Sequence, residues 1–344
     1  AILRPRVGAP IERIYFQTMP LAWLGSIYQH LLAFRPDETG EHLRATQSFR
    51  KGRGVFFTPP SLVSYIVEGV LTPIVEERRS LFGAETASTP EHSGEDRSRA
   101  PEYVNQPSVP EHPEPVEGRS ARGQSEAGLR ILDPSCGGGD FLSAAIDFLV
   151  SQAGDELRSR FAAECVFGVD LDPMAVEIAR FSVWASSGFA DGISHLLNAH
   201  LICANALGAK HADEPDFDWR SAFPEIFSGA SSPGVLSPSN GAGSAGFDAV
   251  IGNPPYIAAK NGLNGVRARG QSDSYLLFLS EIMQNNLVRR GGLLAMVLPD
   301  PMLVRENAAQ IRCKLANEWT ILSLLHISEA FPVALVANIE VSGP

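Results

Sequence analysis

The chain has 344 residues, 44% of them apolar and 19% charged, enough to bury a sizeable core and to exclude global disorder and collagen-like classes. At roughly 150 residues per domain, this length predicts about two domains or one large one. Its 28 basic and 39 acidic residues leave a net charge of −11, which disfavours a stand-alone nucleic-acid binder because phosphate contact is driven by Lys and Arg. Part of that excess is local, since Ala84–Gly128 alone carries nine acids and four bases. No run approaches the ~18 unbroken apolar residues of a membrane helix. The best stretch, Ile14–Phe34, is interrupted by Gln17, Pro20, Gln29 and His30. Cys136, Cys165, Cys203 and Cys313 are spaced for neither a zinc site nor a disulfide framework, and are expected as reduced thiols in a cytoplasm. A chain running from Ala1 to Pro344 with no signal peptide reads as a fragment.

In chain order, Thr58 followed by Pro59 and Pro60 predicts an N-cap and a helix through about Leu81. The stretch 84–128, rich in Pro, Glu, Ser and Arg, has almost no apolar periodicity and is expected as a disordered insertion. Leu129–Leu132 is a short apolar strand ending at Asp133, and helical spacing resumes over Asp140–Val150. Cys165–Val169 is a second buried strand, and Asp172-Pro173 starts a helix to about Ser186. Strands follow at His200–Cys203 and, after a flexible Ser/Gly/Pro-rich loop over 228–246, at Phe247–Ile251. A helix over Ser274–Leu287 and strands at Gly291–Leu298, Ile321–Leu325 and Leu335–Val341 complete the pattern. Alternating helices and uniformly apolar strands predict an α/β fold, a mostly parallel central sheet with helices on both faces. Ligands of such sheets bind at the carboxyl ends of the strands.

Three segments fall at those ends. Asp133-Pro134-Ser135-Cys136-Gly137-Gly138-Gly139-Asp140-Phe141 is a glycine-rich strand-to-helix turn that lets a ligand approach the backbone. Its spacing fits neither a P-loop nor a dinucleotide fingerprint. Gly168-Val169-Asp170 puts a carboxylate at the tip of the next strand, where it can accept ribose hydroxyls. Alone, Asp170 reads as a helix-capping acid, and with the glycine-rich loop as a nucleoside ligand. The sharpest segment is Phe247-Asp-Ala-Val-Ile-Gly-Asn253-Pro254-Pro255-Tyr256. Two prolines fix φ and remove two donors, and Asn253 is held extended by the proline after it. The resulting rigid loop would present the Asn253 side-chain oxygen and the Pro254 carbonyl beside an aromatic face. That set suits a planar NH2 group. The plainer reading is a double-proline turn with a packed tyrosine.

These segments together resemble the N6-adenine DNA methyltransferases that use S-adenosylmethionine, in the motif order of the gamma class: Phe57-Thr58-Pro59-Pro60 ahead of the glycine-rich loop, Asn253–Tyr256 after it. The likeness continues through His200–Leu207, Ser274–Phe278, Gly291–Pro299 and Phe331-Pro332. Leu24–Leu32 is similar to the helical connector of type IIG restriction–modification polypeptides, which implies a connector over 1–50 and a methyltransferase domain over 51–344. The loop reads CGGGD where the family usually has CGSG, Asn205 stands where many members have Asp, and the insertion over 84–128 has no expected counterpart. A target-recognition domain, in the same or a partner chain, is expected beyond Val341.

The resemblance implies a Rossmann-like fold and a role for each matching residue. Thr58 and Asp133 would hold the methionine end of S-adenosylmethionine. Gly137 and Gly139 would line the cofactor with Pro134, Cys136, Phe141 and Leu171. Asp170 would take the ribose and Asn205 would approach the cofactor's adenine. Asn253 and Pro254, with Pro255 and Tyr256, would form the catalytic loop. Tyr256 and Phe331 would stack on an adenine flipped out of double-stranded DNA, because the amine is otherwise buried in the stack. No metal and no covalent cysteine is needed. The same loop occurs in methyltransferases of protein glutamine amides and of ribosomal-RNA guanine, and a truncated non-catalytic part of a larger complex is the third reading. With scattered bases, Arg267 and Arg269 among them, the fragment by itself is expected to show no sequence-specific DNA binding.

Overall fold

The computed structural model describes residues 34–36, 43–45, 58–78, 128–208, 217–227, 245–257, 273–327 and 334–340. Of the expected insertion over 84–128 and loop over 228–246, residues 84–127 and 228–244 lie outside them, as do Arg267, Arg269, Phe331 and the Leu24–Leu32 connector. Within 1–50, the described strands β1 (Phe34–Pro36) and β2 (Leu43–Ala45) pair antiparallel.

Helix α1 spans Pro60–Glu77. Strand β3 (Ile131–Asp133) leads through the glycine-rich turn to α2 (Asp140–Ala153) and α3 (Arg158–Glu164). Then come β4 (Val166–Asp170), α4 (Pro173–Ser186), α5 (Ser194–His200) and β5 (Leu201–Cys203). Two single-turn helices, α6 (Trp219–Ala222) and α7 (Pro224–Phe227), precede β6 (Phe247–Gly252) and α8 (Ser274–Gln284). The described chain closes with β7 (Val288–Leu298), α9 (Pro301–Val304), α10 (Ala309–Glu318), β8 (Thr320–Ile327) and β9 (Ala334–Glu340).

The central sheet has seven strands in the order β5-β4-β3-β6-β7-β9-β8. β5, β4, β3, β6 and β7 run parallel, and β9 inserts antiparallel between β7 and β8. Side chains alternate between two cores. Ile131, Val166, Ala249, Leu293, Ala295 and Val297 pack with α1, α2 and α4 on one face. Leu132, Phe167, Val250, Leu294 and Met296 pack with α8 and the aromatic group around Trp219 and Phe223 on the other. Burial on both faces is why these strands read as apolar runs. After β3 the chain builds outward through β4 and β5, then crosses to the opposite side of β3 with β6. The crevice at that reversal is the place such a sheet offers a ligand.

Several boundaries differ from the sequence expectation. Thr58 does not cap α1. Pro59 holds that position with no side-chain cap, and its carbonyl accepts from the Leu62 and Val63 N–H groups. The helix also stops at Glu77 rather than Leu81, because Arg78 leaves helical geometry and turns its guanidinium to the Gly128 carbonyl and Asp248. Helix α8 ends three residues short of Leu287 because Asn286 takes a positive φ of 51°. β7 starts earlier than Gly291, which bends within the strand at φ +71°.

Candidate functional site

The carboxyl ends of β3, β4 and β6 meet at the reversal, and backbone geometry ties them together. The Cys136 N–H donates to the Val169 carbonyl at 3.0 Å, anchoring the glycine-rich turn on β4. The Gly137 N–H donates to Asp170 at 2.9 Å, and the Asp172 N–H donates to its other oxygen at 2.8 Å. Asp170 is therefore both the clamp of the turn and a carboxylate with lone pairs left over, since each oxygen can accept twice. The capping and ligand readings of Asp170 are compatible.

The glycines have separate reasons. Gly137, at φ +52°, has nothing within 4 Å of where a Cβ would lie, so it borders open space. Gly139, at φ +84°, has Ala179 of α4 only 3.1 Å from that point, so its bareness serves helix packing. Cys136 is buried against Gly168, where an added Cβ would come within 3.0 Å of its Sγ. Burial pushes its thiol well above the ordinary range, which removes it as a nucleophile.

Asn253-Pro254-Pro255-Tyr256 leaves the end of β6 as an extended, non-helical segment with Pro254 buried and the other three half-buried. The Asn253 Nδ2 donates to the Thr58 hydroxyl at 2.9 Å. The Tyr256 hydroxyl lies 2.7 Å from Asn253 Oδ1 and 2.9 Å from the Val297 carbonyl of β7. Its ring meets Tyr275 edge-on at 6.4 Å between centroids. The loop is braced from α8: the Ser274 hydroxyl accepts from the Ile257 N–H at 2.8 Å and donates to the Pro255 carbonyl, while the Ser274 N–H donates to the Ile257 carbonyl at 3.0 Å.

Two of these positions, Gly252 and Ser274, were in view in the sequence without their roles. A Cβ on Gly252 would lie 2.6 Å from Asp133 Oδ1, so the glycine lets β6 pass the carboxylate. A glycine closing a strand is a signal of such close approach. Ser274 carries no local signal, because its partners are 17 and 19 residues earlier in the chain.

The crevice is acidic. Asp133 is 1% exposed and accepts from the Ser135 N–H at 3.0 Å. Burial first, and the neighbouring carboxyls of Asp170 and Asp140, push it up to about 8. Burial also raises Asp140 to about 6, and raises Asp170. Such a cluster favours a cationic ligand, which would restore the ionised form.

The other expected ligands are placed as follows. Pro134 and Phe141 are buried, the latter in the core under α2, while Leu171 is 52% exposed at the tip of β4. Asn205 folds its amide on its own turn, donating to the Gly208 carbonyl and accepting from the Leu207 N–H at 3.2 Å. A groove of about 570 Å³ between α1, α2 and α4 touches Thr58 and Asp140 at one end but includes neither Asp170 nor Asn253. It is not this site.

With that geometry in place, the likeness to known proteins has a structural meaning. Residues 164–333 match the family described as Eco57I restriction-modification methylase. The matched stretch runs from β4 through the Asn253–Tyr256 loop to the end of β8. Over 157 residues the chain is 31% identical to the adenine-specific methyltransferase PglX of Streptomyces coelicolor, covering 39% of this chain and 12% of that one. The chain thus spans about an eighth of the length of the curated relatives it matches. A cryo-electron-microscopy structure of a DrdV–DNA complex shares the fold, at a TM-score of 0.54 and 14% identity over 94% of this chain and 30% of that one. The fold is the α/β arrangement expected from the sequence, a mostly parallel central sheet with helices on both faces.

Proposed function

We propose that this chain transfers a methyl group from S-adenosylmethionine to the exocyclic N6 amine of adenine in double-stranded DNA, as part of a restriction–modification or related defence system. The observation that carries the reading is the Asn253–Tyr256 loop at the carboxyl end of β6, next to the acidic crevice of Asp133 and Asp170. The match to a restriction-modification methylase family and the adenine-specific relative support it.

The crevice fits the cofactor. S-adenosylmethionine is a cation overall, and when bound it supplies a methyl group activated on a sulfonium. Asp133 and its acidic neighbours suit that charge, Gly137 leaves the backbone open to it, and Leu171 offers an exposed apolar surface at the β4 tip. Asp170, already ordered by two backbone donors, would accept the ribose hydroxyls. Thr58 would meet the methionine carboxylate.

On the target side, the adenine amine is a poor nucleophile because its lone pair is delocalised into the ring. As it takes up the methyl group the nitrogen pyramidalises and gains positive charge. The Asn253 carboxamide oxygen and the Pro254 carbonyl would accept from the amine and stabilise that charge more than the neutral ground state, which is the source of a rate gain. Asn253 Oδ1 also lies 2.7 Å from the Tyr256 hydroxyl, and a carboxamide oxygen can accept more than one hydrogen bond. Tyr256 would hold the flipped base by stacking, a role the resemblance also gives to Phe331. A recognition domain in the same or a partner chain would supply sequence readout.

Substitution of Asn253→Ala in the full-length protein tests this, with labelled cofactor and adenine-containing DNA. Methyl transfer should disappear while cofactor affinity by calorimetry stays near wild type. Transfer within a few-fold of wild type would overturn the reading, and label appearing on a protein glutamine would reassign the substrate.

A further inference from the structure

We infer that Arg305 is a contact for the DNA backbone, a guanidinium that holds a phosphate of the strand whose adenine enters the Asn253–Tyr256 loop. The inference rests on the proposed role of that loop and names a group that would carry the strand beside it.

The carboxyl edge of the sheet is divided by charge. On the β3 and β4 side of the loop lie Asp133, Asp140 and Asp170, where a phosphate would be repelled. β6 carries the loop, and β7 is its neighbour on the opposite side. Beyond β7, at the end of α9, stands Arg305, its side chain 55% exposed. Its Nη1 donates to Asp273 Oδ2 at 3.3 Å. Asp273 directly precedes Ser274, whose hydroxyl donates to the Pro255 carbonyl. By standard bond lengths, that short path keeps the guanidinium within about 15 Å of the loop backbone. The surroundings of Tyr275 agree. Arg305 and Arg312 both act electrostatically on its hydroxyl, and its ring meets Tyr256 edge-on.

The backbone under Arg305 is held from elsewhere. Its N–H donates to the Pro301 carbonyl at 2.9 Å, closing the single turn of α9. The Arg312 guanidinium of α10 donates to the Met302 and Arg305 carbonyls at 2.9 and 2.7 Å. The Arg305 side chain adds to the fold only one exposed ion pair, a contact worth little to stability. A guanidinium is a planar fork of five donors, so one that meets a carboxylate at Nη1 can still grip a phosphate along its other edge. A phosphate contact carries no sequence information. Arg305 would fix the strand beside the loop without choosing the site.

The test compares Arg305→Gln and Arg305→Lys with wild type in the full-length protein. Binding to two adenine-containing duplexes of unrelated sequence is read by fluorescence anisotropy over a range of salt, with thermal midpoints to confirm folding. Arg305→Gln should weaken binding at low salt about tenfold, the equivalent of one charge-assisted hydrogen bond, and by the same factor on both duplexes. It should also flatten the slope of log affinity against log salt by about 0.9, one phosphate's share. Arg305→Lys, which keeps the charge, should keep that slope. The KM for DNA should rise with the dissociation constant, and S-adenosylmethionine affinity by calorimetry should stay within about twofold. A loss in DNA affinity below about threefold, an unchanged salt slope, or a loss confined to one duplex overturns the inference. Asn253→Ala separates the failures: if it still transfers methyl the functional reading falls, and if it is inactive while Arg305→Gln binds DNA as wild type does, only the backbone contact falls.

Discussion

Two buried carboxylates lie at opposite ends of the neighbouring strands β3 and β6, and their surroundings are opposite in kind. At the amino end, Asp248 is 2% exposed and is held by the guanidinium groups of Arg78 and Arg289, with the Arg130 N–H donating to it at 2.7 Å. At the carboxyl end, Asp133 is equally buried, and among the described residues it faces carboxyls and a single backbone donor. One end is neutralised by the protein's own cations and ties α1 and β7 to β6. The other carries an unmet demand for positive charge. A buried acid with its counter-ion built in ties the scaffold together, whereas one without it marks a candidate binding site.

Breaking the amino-end cluster should have the larger effect on stability. Asp248→Ala leaves two half-covered guanidinium groups and a buried N–H without their acceptor, a change costing about 3–5 kcal/mol. Urea unfolding should show that loss, while S-adenosylmethionine affinity of the folded fraction stays within a few-fold of wild type. A stability within experimental error of wild type would show that this end is not held by charge.

At the other end Gly252→Ala sharpens the contrast. Its methyl would fall 2.6 Å from Asp133 Oδ1 and drive the carboxylate off its position. The overpacking cost is about 1–3 kcal/mol, and calorimetry should find cofactor binding weakened as well, unlike Asp248→Ala. Unchanged affinity would remove Asp133 from the ligand set.

The smallest effect is the pH dependence. The Asp133 carboxyl titrates near 8 in the folded chain against an ordinary 3.8. A carboxyl raised in this way stabilises the fold fully below its unfolded value and loses that contribution as pH rises through about 8. The thermal midpoint of the ligand-free protein should therefore fall as pH rises from about 4 to about 8, between the ordinary and the raised value, and level off above that. A cationic ligand favours the ionised form, so the midpoint rise produced by S-adenosylmethionine should grow over the same range. Asp133→Asn should flatten both trends, and a trend that survives it would assign the titration elsewhere.

Most of the central sheet was legible because its strands are buried on both faces. Ile131–Asp133, Val166–Asp170 and Phe247–Gly252 are apolar runs bounded by turn residues, and their ends match the expected ones within two residues. The short helices α3, α5, α6 and α7 were not, since four to seven residues carry too little periodicity. Thr58 misled as a cap because Ser or Thr before proline is a local signal, and the contact that uses its hydroxyl comes from 195 residues away. The two-way brace of Ser274 on the Pro255–Ile257 backbone was hidden for the same reason.

What the sequence determined by itself was local. Prolines after Asn253 forbid a continued strand, glycines permit the turn after Asp133, and apolar runs demand a sheet covered on both faces. Only the tertiary structure decided what each polar group meets: that Asp248 has two guanidinium partners and Asp133 has none among the described residues, and that Thr58 serves Asn253 rather than its own helix. The division has a physical cause. Backbone preference depends on a residue and its neighbours in the chain, whereas hydrogen bonds and ion pairs depend on which distant segments the buried sheet brings within about 3 Å.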